Sequence, residues 1–103
     1  MLDTAKAFGW LRAHFRPALT KNGWRTAVSG DGKGFPDLVL VHPEVGAVFR
    51  ELKRDKTKLD PDQEAWGAAL TASGADWGVW RPRDWPTVLT FLSRGRAGVP
   101  GAP

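Results

Sequence analysis

Asp37 stands in the run Gly34-Phe35-Pro36-Asp37-Leu38, and Glu51-Leu52-Lys53 ends the next apolar segment. Two carboxylates supply the hard oxygen ligands that Mg²⁺ or Mn²⁺ prefers, and the Leu52 carbonyl beside them can supply a third. A lysine ammonium next to such an ion can reach a water or a phosphate. This is a set suited to metal-assisted cleavage of a phosphodiester. The spacing has a stereochemical basis: successive side chains of a strand alternate faces, so Glu51 and Lys53 point one way and Leu52 the other, toward packing.

The elements that position these groups follow from pattern and punctuation. Leu38 to Val41 is apolar at every position, as in a central strand covered on both faces. Pro43 and Gly46 break the chain in the turn His42 to Gly46. Ala47 to Lys53 then pairs antiparallel with its predecessor, which brings Asp37 and Glu51 to the same end of the sheet. A carboxylate and an ammonium on a central strand are costly without a partner or an ion, so a function explains them better than an exposed edge pair does. Asp60 caps the next helix, Pro61 takes its first position, Gln63 stands three past the cap, Trp66 and Leu70 line the apolar face, and Gly74 ends it.

At the start of the chain Phe8, Leu11, Phe15 and Leu19 recur at helical spacing, predicting a helix from Asp3 or Thr4 that is kinked at Pro17 and stops at Asn22-Gly23. A first strand, Trp24 to Val28, follows, and then the loop Ser29 to Lys33, whose glycines let backbone approach a ligand closely. Ala75 to Trp80 reads as a fourth strand. Asp84 caps a last helix with Val88, Leu89 and Leu92 facing inward. The expected organisation is one domain over 1–92 and a mobile Gly/Pro-rich tail over 93–103. Of the six tryptophans, Trp24, Trp66, Trp77 and Trp80 fall at core positions, and Trp10 and Trp85 are candidates for exposed stacking.

The Gly-x-Pro-Asp-Leu at 34–38, the Glu-x-Lys at 51–53 and Gln63 opening the next helix resemble the VRR-NUC domains of the PD-(D/E)xK nuclease superfamily, over a stretch from about Trp24 to Leu92. The resemblance implies an α/β (α+β), restriction-endonuclease-like core of order α-β-β-β-α-β-α, with a mixed four-stranded sheet flanked by helices. It implies Asp37 and Glu51 as metal ligands, Lys53 assisting the attacking water, and Gln63 facing the site. It also implies a Mg²⁺- or Mn²⁺-dependent DNA endonuclease, acting as a homodimer on branched DNA such as a Holliday junction, in DNA repair. One departure is visible: the family's first helix usually brings an acid to the metal, and here Thr4 to Asn22 contains neither Asp nor Glu. This leaves open a non-catalytic DNA-binding module that retains the fold.

Charge and length agree with a polyanionic partner. The chain has 103 residues, a net charge of +4 and a pI near 10.0, so it is too small to wrap a duplex alone and favours nucleic acid. Lys33, Arg54, Lys56 and Lys58 are the candidate phosphate contacts, although a charge run is also what a solvated face looks like. Likewise Asp37 is compatible with a plain turn residue and Gln63 with a capping box. The absence of cysteine excludes a disulfide framework, a thiolate zinc site and a cysteine nucleophile. No dinucleotide, Walker or nucleophile-elbow motif is present, no pattern surrounds His14 or His42, and an organic cofactor is not expected. Without a secretory apolar core or a membrane span, the expected location is the cytoplasm of a bacterial or phage-infected cell.

Overall fold

The computed structural model describes residues 1–15, 18–20, 23–25 and 30–97. A mixed four-stranded sheet runs in the order β1-β4-β5-β6, formed by β1 Leu11–His14, β4 Leu38–His42, β5 Gly46–Leu52 and β6 Asp76–Trp80. Two further strands, β2 Ala18–Thr20 and β3 Gly23–Arg25, pair with each other in a separate two-stranded sheet. Helices α1 Leu2–Ala7, α2 Pro61–Ala72 and α3 Trp85–Ala97 complete the chain, the last preceded by a single 3-10 turn, Pro82–Asp84. Taken along the main sheet, the order is α-β-β-β-α-β-α, as expected.

β4 and β5 are antiparallel, with Leu38 opposite Arg50 and His42 opposite Gly46, and β6 runs parallel to β5. Gly46 closes the hairpin at φ +117°, a conformation that a side chain would strain. Because the register is fixed, the strand period sends Leu38, Leu40 and Val48 to one face, where they form the main core with Ala5, Trp10, Val88 and Leu92. Val39, Phe49 and Trp77 share the opposite face. There α2 packs so closely that a Cβ on Gly67 would lie 2.5 Å from the Trp77 ring. Gln63, Trp66, Gly67 and Leu70, spaced at three and four, are the α2 residues shielded from solvent.

Several expectations are corrected. The long first helix ends at Ala7, because Gly9 takes φ +88° and the chain then extends into β1. Leu11, expected on a buried helical face, is 73% exposed on this edge strand. β1, and not Trp24 to Val28, supplies the first strand of the sheet; β3 holds Gly23–Arg25, and 26–29 lie outside the described residues. The continuous apolar run of β4 is not covered on both faces, since Val41 is exposed while Leu38 and Leu40 are buried. Finally, Trp10 is no stacking surface: it is 3% exposed, and its indole N–H donates to the Leu92 carbonyl at 2.9 Å. Leu89, on the other hand, is exposed. α3 continues past Leu92 to Ala97, with Gly95 buried where a Cβ would lie 2.6 Å from the Phe8 carbonyl oxygen.

Candidate active site

The β4–β5 register, continued one step beyond Leu38–Arg50, sets Asp37 opposite Glu51. Asp37 is held from two sides: its carbonyl accepts from the Phe15 amide at 2.8 Å and its Oδ2 accepts from the Leu52 amide at 3.0 Å. Buried Pro36 fixes the approach to the strand. Gly34, at φ +85°, lets the preceding loop lie on the first turn of α2, where a Cβ would fall 2.5 Å from the Asp62 carbonyl carbon. That loop is anchored as well by the Trp66 indole N–H, which donates to the Asp31 carbonyl at 2.9 Å, and by edge contacts of Phe35 with Phe15, Phe49 and Trp66.

Glu51 lies on β5 between β4 and β6, so it sits on a central strand and not on an edge. Its side chain is 0% exposed. The Glu51 Oε1 accepts from the Gln63 amide nitrogen at 3.1 Å, while Oε2 receives no hydrogen bond. Burial is the main cause that pushes this carboxyl from its ordinary 4.5 up to about 8. A hydrogen bond that only its protonated form can give to Asp37, and the Asp37 charge itself, push in the same direction; the Asp60 charge adds to them, and Lys53 opposes. Two carboxyls thus face one another in a dry place with one proton's worth of compensation missing. Such a pair is costly as two anions and is relieved by a proton or by a cation.

Gln63 serves both the helix cap and Glu51 by dividing one amide. Its oxygen accepts from the Asp60 amide at 3.0 Å and its backbone N–H donates to Asp60 Oδ1 at 2.9 Å, which completes the capping box. Its nitrogen is left to hold Glu51. Lys53 follows at the strand end, half-buried, with its amide bonded to the Trp80 carbonyl at 3.1 Å. The structure therefore gathers Asp37, Glu51, Leu52, Lys53 and Gln63 at one end of the sheet.

The basic residues are distributed differently. Arg54, Lys56 and Lys58 are exposed on the loop between β5 and α2. Lys33 sits on the glycine loop and pairs with Asp62 at 3.4 Å, a solvent-exposed contact worth little. A residue that pattern reading passed over organises the basic loop: the Arg81 guanidinium donates to the carbonyls of Arg54 at 2.5 Å and Thr57 at 2.7 Å, and the Arg83 amide donates to Asp55 at 3.3 Å. The only sequence signal for this role was an arginine directly after β6. Among the described residues, no group of three or more His, Asp or Glu is placed to hold a metal ion. Asp37 and Glu51 are nevertheless chemically suited to one, because the buried Glu51 Oε2 has no hydrogen-bond partner among the described residues.

A mixed sheet of this order, with an acidic pair at the ends of two antiparallel strands and a lysine directly after β5, defines a restriction-endonuclease-like nuclease domain. The chain belongs to the VRR-NUC domain family, whose model matches residues 12–84. The match begins within β1 and includes every residue of the acidic site. Neither the comparison with curated proteins nor that with solved structures gives a match.

Proposed function

We propose that this nuclease domain is a Mg²⁺- or Mn²⁺-dependent DNA endonuclease whose metal ligands are Asp37, Glu51 and the Leu52 carbonyl. The observation that carries the proposal is the fully buried Glu51 carboxylate, one oxygen unbonded, facing a second carboxylate at a sheet terminus. The ion, when bound, polarises the phosphoryl oxygen and lowers the pKa of a water. Asp37 stays in position because the Leu52 amide holds it, and Glu51 because Gln63 does. Lys53 orients the attacking water or stabilises charge that builds on the phosphate. Gln63 acts as a positioning residue, tying the start of α2 to the site.

Lys33, Arg54, Lys56 and Lys58 take the DNA backbone, which makes affinity salt-dependent and nearly indifferent to sequence. Selection then rests on DNA shape. A chain of 103 residues covers little duplex alone, and this supports a homodimer acting on branched DNA, with junction resolution in DNA repair as the role. The setting proposed is the cytoplasm of a bacterial or phage-infected cell, where the substrate lies. No helix among the described residues is long and apolar enough to cross a membrane.

A second reading is a DNA-binding module that has kept the fold without the chemistry, and it is favoured by the absence, among the described residues, of three or more His, Asp or Glu grouped to hold a metal ion. Supercoiled plasmid and a four-way junction, incubated with Mg²⁺, Mn²⁺ or chelator, separate the two. Metal-dependent cutting lost in Asp37→Ala supports the enzyme. Cutting that survives this change removes the site assignment, and DNA binding without any cutting by the wild type supports the module.

A further inference from the structure

Beside the acidic site, a cavity of about 410 Å³ opens between the end of β5, the end of β6 and the start of α3. Its walls include Leu52, Trp80 and Trp85, and its rim carries Lys53, Arg54 and Arg81. Among the described residues that line it, none is acidic. The volume falls within the about 300–1,000 Å³ typical of small-ligand pockets. Trp80 is steadied from behind, with Phe91 edge-on at 5.8 Å and the Arg50 guanidinium 5.0 Å from its ring centre. Trp85 keeps 40% of its surface in solvent. Flat aromatic walls under a wholly cationic rim fit a planar, uncharged ring attached to a phosphate.

Position narrows the occupant. Lys53 borders this cavity and stands two residues after Glu51 at the same strand end, so one residue belongs to both the pocket and the acidic site. The Leu52 side chain turns away from Glu51 by strand alternation and forms the cavity wall while its amide holds Asp37. The two sites are therefore separated by the thickness of one strand end. We infer that the cavity receives one unstacked base of the cleaved strand, next to the phosphate held at Asp37 and Glu51; this rests on the nuclease reading above. The base stacks on Trp85 and Trp80 while Lys53 and Arg54 take the flanking phosphates. A nucleotide that is already unpaired, at a branch, gap or end, enters without the cost of breaking a base pair. The pocket thereby gives the protein a physical means of preferring such DNA.

The test uses the intact protein and a series of branched oligonucleotides with one abasic nucleotide at successive positions around the cleavage point. At a single position, loss of the base is expected to lower kcat/KM about 5- to 150-fold, the range that corresponds to one base–aromatic stack. In Trp85→Ala that dependence should vanish, so that abasic and normal substrates react alike. Independently of cleavage, 2-aminopurine at the same position should be quenched on binding in chelator, and less so in Trp85→Ala. Equal rates at every abasic position in a wild type that does cut DNA overturn the pocket and leave the nuclease reading standing. Failure of the wild type to bind or cut any DNA overturns both. A second copy of the chain covering Trp85 in the free protein, seen as a dimer lost in Trp85→Ala, also overturns it.

Discussion

Glu51→Gln should make the metal-free protein more stable at alkaline pH while abolishing cleavage. Because the folded-state pKa of this carboxyl is raised from 4.5 to about 8, the native state binds more protons than the unfolded chain between those values. Stability is therefore fully present below pH 4.5 and is lost as pH rises toward 8. At about 1.4 kcal/mol per unit, the loss is below about 1 kcal/mol at pH 5, about 3 kcal/mol at pH 7, and at most about 5 kcal/mol above pH 8. The amide carries no charge to desolvate, and its NH₂ can donate to the Asp37 carboxylate, filling the place of the missing proton. Even half of the upper figure, about 2.5 kcal/mol, raises Tm by about 10–20 °C in a domain of this size. Thermal unfolding in chelator at pH 5 and pH 8.5, wild type against variant, reads the effect directly. If the two proteins melt together at both pH values, Glu51 is not an undercompensated buried anion, and no cation is needed beside it.

Four further outcomes are expected. Mn²⁺ at about 100 times its Kd should stabilise the wild type by about 2.7 kcal/mol, and it should leave Asp37→Asn unshifted in the same melting assay. Lys53→Ala should lower kcat for plasmid nicking about 10²- to 10³-fold, the usual loss of one preorganised positive donor, with a smaller change in DNA affinity. Gly67→Ala should destabilise by about 1–2 kcal/mol, since crowding against the Trp77 ring outweighs the helix-propensity gain; denaturant unfolding gives the sign. Log affinity for duplex DNA against log salt should fall with a slope of about −3 to −4 if Lys33, Arg54, Lys56 and Lys58 all neutralise phosphates, and Arg54→Ala should flatten it by about one.

What could be read from the chain by itself was whatever neighbours in sequence dictate. The hairpin that aligns Asp37 with Glu51 follows from two apolar runs and a turn closed by Gly46. The start of α2 follows from Asp60, Pro61 and Gln63, whose capping chemistry is local. The acid pair and Lys53 were legible because their types and alternation are fixed before any packing occurs. The first twenty residues misled because helical spacing of Phe8, Leu11 and Phe15 is cheap to mimic, whereas the extended conformation of Leu11–His14 is dictated by its partner Leu38–Val41, distant in sequence. Trp10 was misplaced for the same reason: its burial depends on α3, at the far end of the chain.

Only the tertiary structure decided the chemistry of the site. A carboxylate's pKa depends on what surrounds it, so the shift of Glu51 required the closing of α2 over β5 and the approach of Asp37. The division of the Gln63 amide between cap and carboxylate, the clamping of the basic loop by Arg81, and the cavity that shares Lys53 with the acidic pair join residues from separate elements. Local periodicity carries no information on such meetings, because desolvation and hydrogen-bond geometry exist only once the chain has brought distant groups together.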